Sequence, residues 1–532
     1  MAVDPSTGRA AAYPSESRSG HLGSGTLASG ATPLRWRSIG FVERAAVVET
    51  HISVLFFMGD RVYKVRKPVT TPFLDFSTRE LRLADCRREV QLNRRLATDV
   101  YLGVHDLVDE AGAPVDHMVV MRRLPADRRL ATMVADPSFD EAHLVAVARC
   151  VAAFHSRAGR APAIDLAGSV EHLSMLWSTN LDETAAFAGR FIDGALLDRI
   201  RAQALGYLDG RHPLLAHRVA ERRIVDGHGD LLAEDIFCLD DGPRILDCIE
   251  FDPRFRWGDV LYDTTFLAMD LEHLGRVDLA RAFLGSYREF SAETHPESLE
   301  HWYIAYRALV RAKIACLSAK GGETGAAEEA TAFLTQAGRH LDEAETHLVL
   351  VGGLPGAGKT TLAQGLADRL GWAMLCSDEV RKELAGLDPT EPAAAAPFAG
   401  IYAPAFTAEV YRELLRRAEL ALGWGDSVVL DATWLDPDQR DAAHRLAMRC
   451  HAHLHELRCD LAVDEATDRI RARAAAGGDA SDATPEVLAA LAQHPAPWPG
   501  AHGIDTTRPP LQAITDAVGI VRPDLARDRA AN

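Results

Sequence analysis

Residues 347–361, HLVLVGGLPGAGKTT, carry the most specific chemical pattern in this chain. An apolar run at 348–351, typical of a buried parallel strand, breaks into a sequence that matches G-x-x-x-x-G-K-[ST]. In such a loop the glycines let backbone N–H groups turn toward phosphate oxygens, and the following helix adds its positive N-terminal end. The alternative is a glycine-rich turn that binds nothing. The strand before it, the helix after it and the filled motif positions argue against that alternative.

The motif therefore predicts a nucleotide site with assigned roles for its side chains. Lys359 is expected to reach the β and γ phosphates, and the hydroxyl of Thr360 is expected to hold Mg²⁺. The predicted nucleotide-binding residues of the loop are Gly353, Leu354, Pro355, Gly356, Ala357, Gly358, Lys359, Thr360 and Thr361.

A third strand of the same sheet is predicted at 427–433, and it ends in Asp431. A carboxylate at the carboxyl end of a parallel strand next to a phosphate loop suits a Walker B-like role. Asp431 is therefore predicted to hold Mg²⁺ through water or to position the acceptor. Helices are predicted before and after this strand, at 407–422 and 464–474.

The order of strand, phosphate loop, helix, second strand and then S-D-x-x-R at 377–381 resembles the small P-loop kinases, which include gluconate kinase, polynucleotide kinase and the zeta toxins. The resemblance covers about 347–522. It implies that Asp378 is the general base for the acceptor hydroxyl. It also implies that a lid helix supplies Arg469 and Arg473 to the transferring phosphate, with 477–484 as the mobile part of that lid. The alternatives are a helix cap for Asp378 and a solvated basic helix for the arginines.

A second group of chemically suggestive residues lies in the N-terminal half. Strand-like runs at 52–58 and 61–67 flank Gly59-Asp60, which predicts a hairpin with Lys64 on its second strand. A helix predicted at 77–96 carries Glu89, a carboxylate that could pair with this lysine and direct it, as in protein kinases. The alternatives are a solvated strand lysine and one more exposed helix charge. Further along, HGD at 228–230 is followed by a predicted strand at 244–251 that carries two acids, Asp247 and Glu250. Buried carboxylates are costly, and a bound metal would relieve that cost.

HGD, an acid five positions after its Asp, a strand ending in I-E-F and then G-D-x-x-x-D resemble the aminoglycoside phosphotransferase-type kinases, which are bilobal and protein-kinase-like. The resemblance covers roughly 40–320. It implies that Asp230 is the catalytic acid–base residue, that Lys64 and Glu89 are the phosphate-binding lysine and its partner, and that Asp235 and Glu250 hold the metal. Asp235 stands where the family has Asn, and Glu250 stands where it has Asp. Both keep oxygen ligands for Mg²⁺, but the lobe could also be a weak or non-catalytic nucleotide binder.

Tyr303, Arg307 and Arg311 recur every four residues, which places them on one face of a predicted helix. Two arginines on that face could bind an anionic acceptor. The alternative is ordinary charge on the surface of a helix.

The bulk properties of the 532 residues suit a protein of two or three domains. The net charge of −18 argues against nucleic-acid binding through a broad basic surface. The eight cysteines form no C-x-x-C pair, which argues against a zinc site or disulfide framework and favours the cytoplasm. Residues 1–33 are predicted to be a disordered tail. No apolar run is long enough to span a membrane, so no membrane partner is expected.

Together these observations predict an α/β multidomain chain. A bilobal, protein-kinase-like α+β domain is expected at 34–325, a helical linker at 326–346, a P-loop domain with a parallel sheet at 347–522 and a short tail at 523–532. The combination is similar to a bacterial family of bifunctional aminoglycoside phosphotransferase-like and P-loop kinase proteins. It implies transfer of phosphate from ATP, with Mg²⁺, to a hydroxyl of a small molecule such as a sugar. The alternatives are a regulatory, nucleotide-sensing ATPase with a degenerate kinase-like lobe and, against the charge balance, a polynucleotide 5′-kinase or toxin-like enzyme.

Overall fold

The computed structural model describes residues 46–50, 52–70, 75–388, 391, 399–476, 483–493 and 497–523. Contacts divide the chain into two compact units. The first unit comprises the described residues of Met1–Ala204, Ala216–His295 and Glu300–Asp342, and the second those of Leu205–Leu215, Pro296–Leu299 and Glu343–Asn532. The predicted tail at 1–33 lies outside the described residues.

The first unit begins with a five-stranded antiparallel sheet and one helix. The strands are β1 Ala46–Glu49, β2 Ser53–Met58, β3 Arg61–Arg66, β4 Tyr101–Val108 and β5 Pro114–Arg122, in the order β1-β2-β3-β5-β4, and the helix is α1 Arg79–Asn93. Thr78 caps α1, because its hydroxyl accepts a hydrogen bond from the Leu81 amide at 3.3 Å. Apolar side chains of the sheet and of α1, among them Phe57, Val62 and Cys86, share one core. This packing fixes β3 and α1 against each other.

The rest of the first unit is mainly helical. Four of its helices, α6, α7, α10 and α11, include residues assigned to the second unit. The helices are α2 Leu130–Met133, α3 Ala142–Arg157, α4 Pro162–Asp165, α5 Val170–Ala185, α6 Gly194–Gly210, α7 His212–Ala220, α8 Val260–His273, α9 Val277–Ser291, α10 Glu297–Lys320 and α11 Ala326–Ala344. Four short strands form two antiparallel pairs, β6 Ile224–Asp226 with β9 Trp257–Asp259 and β7 Ile236–Leu239 with β8 Gly242–Ile245. The HGD sequence follows β6 directly, so this small sheet positions it.

A five-stranded parallel sheet forms the centre of the second unit. Its strands are β10 His347–Gly352, β11 Ala373–Cys376, β12 Val428–Asp431, β13 His453–Asp460 and β14 His502–Asp505, in the order β11-β12-β10-β13-β14. Its helices after α11 are α12 Lys359–Leu370, α13 Ser377–Leu384, α14 Pro404–Gly423, α15 Pro437–Arg449, α16 Val463–Ala476, α17 Pro485–Ala492 and α18 Pro510–Val521. Leu348 and Leu350 pack into one core and Val349 and Val351 into another, so β10 is buried on both faces.

The topology confirms the predicted fold class, an antiparallel sheet with a helical part followed by a parallel-sheet domain. One element prediction was wrong. The strand predicted at 244–251 ends at Ile245, because Asp247 adopts a left-handed φ of 62° that stops the strand ladder. The chain leaves the helical conformation between α5 and α6, and the Asp193 carboxylate accepts a hydrogen bond from the Ala195 amide at 2.8 Å at the start of α6. Among the described helices, none combines the length and the apolar character that crossing a membrane requires.

Because two histidines of the parallel sheet, His347 and His455, are largely buried, we expect the second unit to lose stability in acid. His347 is 5% exposed, and its Nδ1 lies 3.1 Å from Nε2 of His455. Burial, helped by neighbouring histidines, lowers the pKa of His347 to about 3 and that of His455 to about 4. An unfolded histidine has a pKa of about 6.5. Below that pH the unfolded chain binds more protons than the folded one, so stability present above pH 6.5 is lost as the pH falls toward the folded pKa values.

We expect the free energy of unfolding of this unit to fall by about 2 kcal/mol per histidine between pH 7.5 and pH 5. Denaturant unfolding of the full chain at the two pH values measures this loss. His347→Gln should remove a large part of it, whereas the control His444→Gln changes a side chain that is 53% exposed and should leave it intact. An identical loss in wild type and His347→Gln would show that this cluster is not responsible.

Candidate functional site

The loop at 353–358 in the second unit, which we call the glycine cradle, turns through glycines with positive φ. Gly356 has a φ of 77°, and a Cβ placed on it would lie 2.5 Å from the Ala466 carbonyl oxygen. Any other residue there would be strained and would clash with backbone. Gly358, with a φ of 90°, is the N-cap of α12, so the helix begins at Lys359 with its N–H groups facing the loop. The loop is therefore shaped to receive an anion.

Lys359 and Thr360 occupy the positions that the motif predicts. The Lys359 ammonium donates to the Leu354 carbonyl oxygen at 3.2 Å, across the loop. The Thr360 hydroxyl donates to the Asp431 carboxylate at 2.6 Å. Burial raises the pKa of Asp431, which is 3% exposed, while the Lys359 charge and the Thr360 hydroxyl oppose the rise. The hydroxyl and carboxylate together form an oxygen pair of the kind that Mg²⁺ prefers.

Asp378 lies in the first turn of α13, immediately after β11. Its carboxylate is 3.9 Å from Nε of Arg381, and its side chain is 27% exposed. Arg381 is buried and is fixed by hydrogen bonds to the Ile401 carbonyl oxygen at 2.7 Å and the Thr407 hydroxyl at 3.1 Å. A carboxylate held beside a fixed cation and still open to solvent can accept a proton from a bound hydroxyl.

One cavity of about 700 Å³ connects these groups, a volume typical of small-molecule sites. Because β10, β11 and β12 are adjacent and parallel, the loop, Asp378 and Asp431 meet at one edge of the sheet. Of the predicted residues in this unit, Pro355, Gly356, Gly358, Lys359, Thr360, Thr361, Asp378, Asp431, Arg469 and Arg473 line the cavity, whereas Gly353, Leu354 and Ala357 only build the loop.

The two predicted lid arginines extend from α16. Arg469 lines the cavity and donates to the Thr506 carbonyl oxygen at 2.7 Å, and Arg473 lines it one turn later. The predicted mobile segment 477–484 lies outside the described residues except for its last two. The sequence analysis missed α17, whose Val487 and Leu491 also line the cavity. Its start signal was present, because Thr484 caps the helix and Pro485 occupies its first position.

In the first unit the HGD sequence is held by a buried carboxylate. Asp263 accepts hydrogen bonds from the His228 amide at 2.6 Å, the Gly229 amide at 2.8 Å and His155 Nε2 at 3.1 Å. Burial would raise the pKa of Asp263, but these donors lower it below its usual value. Burial also lowers the pKa of His228 to about 4, so this ring is neutral and its Nε2 donates to the Leu246 carbonyl oxygen at 3.0 Å. The loop before Asp230 is thus rigid.

Lys64 lies on β3 and forms the ion pair that the sequence predicted. Its ammonium is 2.8 Å from the Glu89 carboxylate and 3.4 Å from the Asp247 carboxylate. Burial alone would lower the pKa of Lys64, but the two carboxylates raise it above its usual value. Lys64 therefore stays charged and lies between α1 and the segment that follows β8.

Asp230, Asp235 and Asp247 form an acidic cluster. Burial raises the pKa of Asp230 to about 7, and Asp247 raises it further while Arg311 lowers it. Asp235 is 8% exposed, and burial followed by the Asp247 charge raises its pKa well above its usual value. Asp247 thus disfavours the charged form of both Asp230 and Asp235, and a divalent cation would relieve this repulsion. Among the described residues, no three His, Cys, Asp or Glu side chains are arranged closely enough to hold a metal by themselves.

Glu250, predicted as a metal ligand, does not join this cluster. Its carboxylate accepts a hydrogen bond from the Arg66 guanidinium, which also pairs with Glu89 at 2.9 Å and Asp85 at 2.8 Å. Asp247 instead faces Lys64, because its left-handed backbone turns the chain after Ile245. Asp247 thus replaces Glu250 as the candidate metal carboxylate. The sequence carried one usable signal, an acid two residues after the end of β8, the strand that pairs with β7.

The α10 arginines are not surface charges. Arg307 is buried, donates to the carbonyl oxygens of Tyr262 at 2.9 Å and Gly229 at 3.1 Å, and lies 3.4 Å from the centre of the Tyr262 ring. Arg311 is 7% exposed. The alternative of ordinary surface charge was therefore wrong for both.

A family model described as an AAA domain matches residues 348–497, which confirms the predicted P-loop domain there. An uncharacterized protein of Mycobacterium tuberculosis is 45% identical over 478 residues, which cover 90% of this chain and 95% of the relative. A sugar kinase structure from Janibacter is 23% identical over 34% of this chain and 97% of that chain, with a TM-score of 0.25. An aminoglycoside 2′-phosphotransferase-IIIa structure is 14% identical over 58% of this chain and 93% of that chain, with a TM-score of 0.34.

Proposed function

We propose that this chain, which belongs to the same family as the Mycobacterium tuberculosis protein, is an ATP- and Mg²⁺-dependent phosphotransferase with a nucleotide site in each unit. We assign one site to residues 34–325 and the other to 347–522, and we place the reaction in the cytoplasm. The observation that carries the proposal is the second unit's cavity, in which the glycine cradle, the Thr360–Asp431 pair and Asp378 meet.

In the second unit, the backbone N–H groups of the cradle and the α12 terminus bind phosphate oxygens. Lys359 leaves the Leu354 carbonyl oxygen for the β and γ phosphates, a short movement of a flexible side chain. Thr360 and Asp431 would hold Mg²⁺, which neutralises phosphate charge when bound. The residues present fit that ion, because both offer oxygen and Asp431 is a buried carboxylate with a raised pKa.

Asp378 accepts the proton of the acceptor hydroxyl as that oxygen forms its bond to the γ phosphorus. The bond between the γ phosphorus and the bridging oxygen breaks, and ADP leaves with the electron pair. Arg469 and Arg473 stabilise the charge on the transferring group. The acceptor is a small molecule with a hydroxyl group, such as a sugar, because a cavity of about 700 Å³ has the size typical of small-molecule sites.

In the first unit, Lys64 binds phosphate and Glu89 fixes its direction. Asp230 accepts the proton of the acceptor hydroxyl, and Asp235 and Asp247 would hold Mg²⁺. The residues fit that ion because burial, and then the charge of Asp247, raises the pKa values of Asp230 and Asp235. Asp263 keeps Asp230 in place through the two backbone amides before it.

A second candidate is a nucleotide-sensing ATPase with a degenerate first unit. The observation in its favour is Asp235, a buried acid at the position where the resembled kinases have an amide. An ATPase releases phosphate without a phosphorylated product, whereas a kinase needs an acceptor.

A screen of metabolite extracts with γ-labelled ATP separates the two candidates. We expect labelled small molecules in wild type, loss of one set in Lys359→Ala and loss of another in Asp230→Ala. Labelled inorganic phosphate as the sole product of wild type and Asp230→Ala, and its loss in Lys359→Ala, would contradict the kinase proposal and support the ATPase.

A further inference from the structure

Arg311 lies on the face of α10 that contacts the HGD loop. One turn earlier, Arg307 donates to the carbonyl oxygen of Gly229, the residue directly before Asp230. Arg311 follows on the same face, four residues later. Its guanidinium is 5.5 Å from the centre of the Phe333 ring on α11. The side chain therefore lies inside the first unit, beside the loop that carries Asp230.

The buried guanidinium of Arg311 has no anionic partner among the described residues. Arg311 is 7% exposed, and its Nε and Nη1 atoms find no hydrogen-bond partner among the described residues. It also forms no ion pair with a carboxylate in the described part of the chain. A buried guanidinium normally pairs with a carboxylate or phosphate, since desolvation without a partner costs several kcal/mol. Arg307 on the same helix differs, because its guanidinium donates to two carbonyl oxygens, as expected for an arginine with a purely structural role.

Two carboxylates lie close enough to Arg311 for its charge to change their pKa values. Burial raises the pKa of Asp230 to about 7 and that of Asp270 to about 6, and Arg311 opposes both rises. Asp270 already accepts a hydrogen bond from the Ala233 amide at 2.8 Å. Neither acid bonds to the guanidinium, so Arg311 remains available to a ligand next to Asp230.

We infer that Arg311 binds an anionic group, a carboxylate or a phosphate, on the acceptor of the first unit, and thereby holds the acceptor hydroxyl beside Asp230. This inference rests on the proposed function of that unit. Arginine suits the role because its planar fork matches both anions. A cationic acceptor would instead contact the surrounding acids and leave Arg311 unpaired, and a neutral acceptor would leave it unpaired as well.

Transfer assays on full-length Lys359→Ala, in which the second unit is silenced, test the inference. The probes are glycerate and glycerol 3-phosphate as anionic acceptors, glycerol as the neutral acceptor and choline as the cationic one. We expect phosphate transfer to an anionic acceptor, and Arg311→Gln should raise the KM for it about 30-fold with a much smaller change in kcat and in the KM for ATP. The KM of Arg311→Lys for the anionic acceptor should lie between the values of Lys359→Ala alone and of Arg311→Gln. Lys320→Gln, which removes an exposed charge from the same helix, should leave this KM unchanged.

Calorimetric binding to Asp230→Asn separates this inference from the proposed function. Binding of glycerate or glycerol 3-phosphate that weakens at least 10-fold when Arg311→Gln is added supports the anion site, even if no phosphate is transferred and the kinase proposal fails. Transfer to glycerol or choline that is indifferent to Arg311→Gln would overturn the anion site while leaving the kinase proposal intact. The absence of Arg311-dependent binding of either anion would also overturn it.

Discussion

Lys359→Ala is expected to weaken Mg·ATP binding to the second unit by at least about 100-fold and to abolish phosphate transfer there. The ammonium lies across the glycine cradle, and the Leu354 carbonyl oxygen is its one hydrogen-bond acceptor among the described residues, so it can turn to the phosphates. Two charge-assisted hydrogen bonds of about 1.5–3 kcal/mol each account for the loss. Calorimetry of the Asp230→Asn chain, with and without Lys359→Ala, measures the effect.

Asp378→Asn is the matched control for this result. It keeps the cradle, the Thr360–Asp431 pair and Lys359, so Mg·ATP should bind as in wild type while turnover falls by about 10²- to 10⁴-fold. Equal ATP affinity in wild type and Lys359→Ala would mean that the loop does not hold a triphosphate. Undiminished turnover in Asp378→Asn would remove Asp378 from the role of base.

Asp230→Asn is expected to abolish transfer by the first unit and to make the folded chain more stable above pH 7. Because asparagine cannot take the proton of the acceptor hydroxyl, the rate of phosphate transfer should fall by about 10²- to 10⁴-fold. Burial raises the pKa of Asp230 to about 7, whereas an unfolded aspartate has a pKa of about 3.9. The folded chain therefore binds the Asp230 proton more tightly, and the ionised carboxylate destabilises it increasingly as the pH rises from about 4 to 7.

The stability gain should be about 1–2 kcal/mol at pH 8, after allowance for the partial exposure of Asp230, and should be smaller at pH 5. Thermal unfolding of wild type and Asp230→Asn at both pH values measures it. Asp441→Asn, which changes an exposed carboxylate on α15, provides the control and should change stability little. Loss of activity accompanied by lower stability at pH 8 would indicate structural damage and not the loss of a strained functional carboxylate.

The second unit's site could be predicted from the sequence because its determinants are local. The run at 348–351, the glycine spacing and the acids at two strand ends place Lys359, Asp378 and Asp431 with little reference to distant residues. Parallel neighbouring strands then bring those ends together. Helix α17 was missed, although Thr484 and Pro485 mark its start.

The first unit was less predictable because its determinants are distant in sequence. The roles of Asp247 and Glu250 depend on the left-handed φ at Asp247, which no spacing rule indicates for a residue other than glycine. The helical period placed Arg307 and Arg311 on one face of α10, but that these arginines are buried follows from Tyr262 and Phe333 on other helices. The ion pair of Lys64 and Glu89 could be predicted only through the family resemblance.

Counting bound nucleotide tests the two-site proposal most directly. Isothermal titration of the full chain with ATP and excess Mg²⁺ should give two ATP per chain in wild type and one in Lys359→Ala. One ATP in wild type and none in Lys359→Ala would contradict a nucleotide site in the first unit.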